Sequence, residues 1–373
     1  MPYLTKKVNP IEKQLTWNDI INGKLFDPSS KTKRFTNTIT RFVNDGSYEV
    51  SVDQIISILQ KFIDINRTLY EKDRHLLYNK FYIPKAHGGK REINQPLPEM
   101  MLALNQLRYI LEKECQVLYH TSAFAYVAGR CTRDMNMKHA LNESNWFLKT
   151  DFKGFFPSIN LDFTMQMMSQ IFPFSEVVKL EKGYQILRKA MGLAFLDGGL
   201  PQGSPVSPCI SNLVMIPIDF ELFNYCADKR YVYTRYADDI TVSCKQAFDE
   251  KYMTDKIRCT LRKFNAPFGL NEEKTKYVSN KGPNWVLGLM INKDHHVTVG
   301  HNRKKFLKAA LCNFIMDAKN GKQWNAEDAN ELQGQLAYYK MVEKPYFEYV
   351  IDHMNKKFHV NVEKLLRDCI AGK

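Results

Sequence analysis

Apolar residues recur along this chain at two spacings, and each predicts a different kind of element. Ile55, Ile56, Ile58, Leu59, Phe62 and Ile63 return at the three- and four-residue intervals of a helix, with Ser51 and Gln54 placed as a capping box at its start. In FYIPKAHGGKREI, two β-prone runs flank Gly88-Gly89, the pattern of a hairpin closed by a glycine turn. A helical stretch is predicted over about 98–119. WFLKTDFKGFF reads as a buried strand running into a turn, and RYVYTRYADDITVSC as a hairpin with strands over 231–237 and 240–243. Ser207 can cap, and Pro208 can begin, a helix reaching from Cys209 to about Tyr225. Further on, Phe306, Leu307, Ala310, Leu311, Phe314 and Ile315 form one helical face, with Gly321 just past its end. Strands and helices do not alternate as in a parallel sheet, so the expected class is α+β with a helical C-terminal part.

Composition narrows the functional classes. A chain of 373 residues is long enough for two or three closely packed units, and no repeat or low-complexity tract interrupts it. Its 53 Lys and Arg outnumber 40 Asp and Glu, for a net charge of +13, which favours polyanionic partners, nucleic acid before an anionic membrane. The eight cysteines form no CxxC pair and read as reduced, mostly structural thiols. The charge-free stretch 198–218 is broken by four prolines, Pro201, Pro205, Pro208 and Pro217, so it is no bilayer helix. The N-terminus lacks the apolar core of a secretion signal. A cytoplasmic protein that does not touch a membrane is expected.

The chemistry concentrates in three acids. Asp238 and Asp239 sit together at the turn of an apolar hairpin, and Asp151 ends the apolar strand Trp146, Phe147, Leu148. Adjacent aspartates are also an ordinary turn signal, but acids at the ends of buried strands call for a compensating cation. Hard divalent ions take oxygen ligands, few of them from protein, and two such ions between carboxylates can clamp the attacking and leaving oxygens of a phosphoryl transfer.

FLKTDFKGFF, GLPQGSPVSP and YADD, in that order, resemble the palm motifs of reverse transcriptases, and the order of all segments from about Tyr82 to Tyr339 is similar to bacterial reverse transcriptases of the retron and group II intron type. The resemblance implies a right-hand polymerase fold with fingers, an antiparallel-sheet palm and a helical thumb. Residues 1–75 would form a largely helical N-terminal extension, 76–145 and 161–200 the fingers, 146–160 and 201–292 the palm, and 293–373 the thumb and tail. It implies RNA-directed DNA synthesis with two Mg²⁺ ions, or Mn²⁺ in their place, held by Asp151, Phe152, Asp238 and Asp239, the three aspartates being catalytic. By the same likeness Lys85 and Arg91 would hold the triphosphate, Phe156 would exclude a 2′-hydroxyl, Gln202 and Gly203 would contact the nascent base pair and sugar, and Lys274 would protonate pyrophosphate. Phe156 taken alone reads more readily as a core phenylalanine than as a sugar-contacting residue. Trp285 to Ile291 resembles the primer-grip hairpin, with Gly288 at its turn.

Arg303, Lys304, Lys305 and Lys308 lie on a helix carrying six cations and one acid over 301–322, a composition suited to a duplex phosphate backbone or to a solvated face. Where retron enzymes have Val-Thr-Gly, this chain has Val286-Leu287-Gly288, and Asn136 and His139 approximate their Asn-Ala-x-x-His element. The short remainder after the thumb predicts no RNase H, maturase, integrase or nuclease domain. The expected partners are an RNA template, most simply an associated noncoding RNA, with deoxynucleotides, a DNA product and an accessory protein of anti-phage defence. Template-independent or RNA-synthesising nucleotidyl transfer, and a non-catalytic RNA-binding scaffold, are the competing readings.

Overall fold

The computed structural model describes residues 51–85, 88–115, 118–282, 284–322 and 324–372; most of the expected N-terminal extension, residues 1–50, lies outside them. The described chain is α+β, as expected. It opens with α1 (Val52–Ile65), which forms because Ile55, Leu59, Phe62 and Ile63 share one buried face; Ser51 occupies the capping position, but its side chain makes no capping bond. The hairpin β1 (Tyr78–Pro84) and β2 (Lys90–Pro96) follows, antiparallel, with Ile83 opposite Arg91. Gly88 and Gly89 turn it at φ 89° and 80°, a region open to glycine at little cost. Next comes α2 (Pro98–Tyr109), shorter than expected because it passes into a π-helical turn at Ile110–Glu114.

After α3 (Thr132–Leu141) comes the strand β3 (Trp146–Asp151), then α4 (Leu161–Met168) and α5 (Glu181–Gly192). The helix expected from Cys209 is in fact two, α6 (Ser207–Val214) and α7 (Ile216–Asp228). Pro217 explains the break: it has no N–H to continue the first helix, and its ring fits only in the first turn of the second. Nor does Ser207 cap, because it is already helical and its hydroxyl donates to the carbonyl of Pro201 at 2.9 Å.

The hairpin β4 (Val232–Tyr236) and β5 (Asp239–Cys244) is followed by α8 (Glu250–Lys263) and β6 (Lys276–Ser279). These strands and β3 make a four-stranded sheet in the order β4-β5-β3-β6. Three short strands, β7 (Asn284–Val286), β8 (Leu289–Ile291) and β9 (Val297–Thr298), make a second sheet, in which Leu287 and Gly288 turn β7 into β8, both at positive φ. The helices α9 (His301–Lys319), α10 (Ala326–Val342), α11 (Lys344–Phe358) and α12 (Val362–Ile370) end the chain.

Two compact units emerge. One contains the described residues up to Cys131 and Phe147–Tyr277; the other contains Thr132–Trp146 and Val278–Lys373. The first holds the four-stranded sheet and a core rich in Leu, Ile, Met and Phe. In the second, Asn136 of α3 donates to the carbonyl of Val286 at 3.2 Å, which joins the segment 132–146 to the small sheet. Thus residues expected at the end of the fingers group with the C-terminal helices. On α9 the apolar face is narrower than expected. Leu307, Leu311, Phe314 and Ile315 are buried, but Phe306 is 65% exposed, because adjacent helical residues point about 100° apart.

Candidate active site

The strand β3 delivers Asp151 to its C-terminal end, where the carboxylate is buried. The β4–β5 hairpin delivers Asp238 at its turn, with Tyr236 paired to Asp239 and Ala237 at φ 55°. The two ends are tied by the backbone, since Phe152 N–H donates to the carbonyl of Asp238 at 3.1 Å. The ring of Phe152 lies among Phe155 and Phe268, so only its main-chain carbonyl could serve a cation. Aligned this way, the acids crowd one another. Burial first, then the charge of Asp151, raises the carboxyl pKa of Asp238; burial, then Asp238 and Asp151, pushes that of Asp239 up to about 6.

One cation answers this crowding from within the protein. Lys274 Nζ reaches Asp151 Oδ2 at 2.6 Å, and that hydrogen bond raises the lysine pKa. The other oxygen of Asp151, Oδ1, is buried without a hydrogen-bond partner. A buried carboxylate oxygen left unpaired is costly, and a divalent ion would satisfy it while offsetting the repulsion among the three acids. The donor set therefore fits hard divalent cations. Among the described residues no three His, Cys, Asp or Glu side chains are gathered closely enough to form a complete metal site by themselves. Such ions would need further ligands from substrate and water.

The carboxylates open on a cleft of about 1070 Å³. The β-hairpin contributes Lys85, Lys90 and Arg91 to its wall, exposed and free to reach an anion. Asp151, Phe152, Phe156, Gln202, Asp238 and Lys274 line it as well. Two expected residues stand back from the wall. Asp239 begins β5 next to Asp238, and Gly203 is pressed against the hairpin. At φ 110°, a Cβ on Gly203 would come within 2.9 Å of the carbonyl of Asn94, and the neighbouring Gln202 carbonyl accepts from Asn94 N–H at 2.7 Å. The glycine there serves a close approach between two backbones of the protein itself.

The C-terminal cations divide. Lys304 is half-buried, paired to Glu343 at 2.5 Å and set over the ring of Tyr346, so its charge is already spent inside its own unit. Arg303 donates to the carbonyl of Gly288 and lies over Trp285. Lys305 and Lys308 are exposed. The four cations expected to meet nucleic acid thus differ in their surroundings: Lys305 and Lys308 are exposed, whereas Arg303, also exposed, and Lys304 make contacts within their own unit.

Sequence reasoning passed over the group that holds the acidic turn. Arg235 and Asp219 are both fully buried and joined by two parallel bonds, Nε to Oδ1 at 2.8 Å and Nη2 to Oδ2 at 2.7 Å. Tyr233 donates to the same Asp219, and Arg235 Nη1 donates to Asn212 and to the carbonyl of Ala237, the residue before Asp238. A charged residue at an inward position of the apolar strand YVYTRY is the signal that could have revealed it, since a buried charge requires a partner.

A chain whose strands bring carboxylates together above a basic hairpin is built to handle nucleotides, and comparison names the class. The family described as reverse transcriptase (RNA-dependent DNA polymerase) matches residues 83–304, and the chain belongs to that family. It is an RNA-directed DNA polymerase with the right-hand polymerase fold. Among characterised relatives it is similar to the retron Ec73 reverse transcriptase of Escherichia coli, 28% identical, covering 76% of this chain and 88% of that one. It is equally similar to the retron Ec83 reverse transcriptase of the same organism, 28% identical over 87% of this chain and the whole of the relative. Among solved structures, apo telomerase from Candida tropicalis aligns with a TM-score of 0.45 at 13% identity, covering 84% of this chain and 68% of that one. Reverse transcriptases use divalent metal ions. Among the described residues no helix is long and apolar enough to cross a membrane.

Proposed function

We propose that this polymerase copies an associated noncoding RNA into DNA at the cleft beside β3 and the β4–β5 turn, in the cytoplasm and in the service of anti-phage defence. The observation that carries the site is the meeting of Asp151 and Asp238, from different strands, on a cleft walled by Lys85 and Arg91. Asp151, the carbonyl of Phe152, Asp238 and Asp239 would hold two Mg²⁺ ions, with Mn²⁺ able to replace them. Bound there, the metal supplies Lewis acidity to the attacking 3′-hydroxyl and neutralises charge on the leaving pyrophosphate. Lys85 and Arg91 hold the triphosphate by charge-assisted hydrogen bonds and so fix the α-phosphorus in line for attack. Lys274, at the cleft wall and hydrogen-bonded to Asp151 Oδ2, would give its proton to the leaving group. Phe156 fills the space a ribose 2′-hydroxyl would need, and Gln202 meets the nascent base pair, its loop held by the contact of Gly203 with Asn94.

In the same reading the fingers comprise 76–145 and 161–200, the palm 146–160 and 201–292, and the thumb 293–373, where Lys305 and Lys308 meet the duplex phosphates. Support for a noncoding RNA template and a role with an accessory defence protein comes from the likeness to retron enzymes. Purifying the chain from its host and sequencing the nucleic acid bound to it tests the template. One abundant structured RNA joined to, or accompanied by, its complementary DNA is the expected result. A mixture of cellular RNAs with no DNA copy would refute it.

A further inference from the structure

The segment before α3 carries an aromatic residue that no motif singled out. Ser122 to Tyr126 runs beside β4 and is pinned to it: Arg235 N–H donates to the carbonyl of Ser122 at 2.7 Å, and Phe124 N–H donates to that of Arg235 at 2.9 Å. Asn212 adds a bond to the carbonyl of Ala125 at 2.8 Å. The buried Arg235–Asp219 pair thus anchors this segment and the turn before Asp238 together. At the end of the pinned segment stands Tyr126, with φ 59°, a conformation uncommon for any residue with a Cβ and rare for a bulky one.

Two features show what that unusual backbone achieves. It leaves the side chain 50% exposed instead of folding it into the core, and it sets the tyrosine ring edge-on to Phe156, centroids 6.4 Å apart and planes at 82°. Phe155 meets Phe156 in the same edge-on manner at 5.7 Å and 79°. Phe156 is only half-buried, packed against the core on one side and met by these two rings. Asp238 and Arg91, which line the same cleft as Phe156, act electrostatically on the Tyr126 hydroxyl.

We propose that Tyr126 is a positioning residue for deoxynucleotide selection, holding the ring of Phe156 in the orientation that excludes a 2′-hydroxyl. The inference rests on the reading of Phe156 as the sugar-sensing residue, and it adds the residue through which that sensing is kept strict. An exposed tyrosine that merely decorated the surface would have no need of φ 59° or of an aromatic contact with a residue that lines the cleft.

The test measures kcat/KM for a deoxynucleotide and the matching ribonucleotide in Tyr126→Gly, Tyr126→Phe, Phe156→Ala and the Tyr126→Gly/Phe156→Ala double variant, with melting as a check of folding. Glycine adopts φ 59° freely, so Tyr126→Gly removes the ring without straining the chain, and Tyr126→Asn, which also tolerates that region, serves as its duplicate. Tyr126→Gly should lower the deoxy-over-ribo ratio by about threefold to tenfold, the worth of one aromatic edge-to-face pair, and Tyr126→Phe should leave it unchanged. Because one residue acts through the other, the double variant should be no less selective than Phe156→Ala alone. An unchanged ratio in Tyr126→Gly and Tyr126→Asn, with a fall in Phe156→Ala, overturns the role of Tyr126 and leaves that of Phe156. Multiplying effects in the double variant also overturn it. No fall in any variant removes Phe156 as the sensor and the inference with it.

Discussion

Replacing Asp239 by Asn should make the metal-free protein more stable, although it removes an expected metal ligand. In the folded chain the Asp239 carboxyl is lifted from its ordinary 3.8 to about 6 by burial and by the charges of Asp238 and Asp151. The folded state therefore binds this proton more tightly than the unfolded state. Stability from the site is greatest below pH 4 and is lost as pH rises from about 4 to 6; at neutral pH the chain bears the full cost of the ionised group. At about 1.4 kcal/mol per pH unit, the rise in pKa corresponds to roughly 3 kcal/mol, an upper figure because water relieves part of it. A gain of about 1–3 kcal/mol is expected from Asp239→Asn in EDTA at pH 7.5, or on the order of 2–6 °C in melting temperature for a chain of this size. The gain should shrink at pH 4.5, where the wild-type group is already protonated. Adding Mg²⁺ should raise the wild type more than the variant, since the ion offsets the same repulsion. Differential scanning fluorimetry over this pH range, with EDTA and with Mg²⁺, measures all three. A variant that melts below wild type at pH 7.5 in EDTA, or a difference independent of pH, would refute the reasoning.

Removing one member of the buried pair, by Arg235→Met or Asp219→Asn, should cost about 3–5 kcal/mol by denaturant unfolding, because it strands the opposite charge; a loss under 1 kcal/mol would show that water reaches the site. Lys305→Ala with Lys308→Ala should weaken hybrid-duplex binding about equally for unrelated sequences and make the salt dependence shallower by about 0.9 per lost contact. Lys304→Ala should leave that slope alone and lower the melting temperature, its charge being engaged by Glu343; the reverse pattern in a salt titration would contradict the division of roles.

Much of this architecture was legible in the chain because local patterns matched tertiary outcomes. The glycine pair over 88–89, the apolar run into Asp151 and the YADD hairpin each carry their own period and turn chemistry, and each formed as read. Competing physics decided the failures. Pro217 interrupts a run whose apolar character alone suggests one continuous helix. Phe306 looks like a core residue in composition but lies off the buried stripe of α9. At the site, the cleft walls contributed by Lys85, Arg91 and Gln202 could be proposed from motif order. The pairing of Arg235 with Asp219, the engagement of Lys304 by Glu343 and the contact of Tyr126 with Phe156 join residues far apart in sequence; the charge within YVYTRY signals that Arg235 needs a partner, but no local pattern names the partners.

The central claim is that Asp151 and Asp238 perform RNA-directed DNA synthesis at this cleft. Primer extension on an RNA template with deoxynucleotides and Mg²⁺, comparing wild type with Asp238→Asn, tests it most directly, with RNA binding measured on the same preparations. The account predicts robust extension by the wild type, extension reduced at least about a thousandfold in the variant, and RNA affinity within about twofold, because the substitution affects the transition state and not the phosphate contacts. Extension by Asp238→Asn within tenfold of wild type would contradict it.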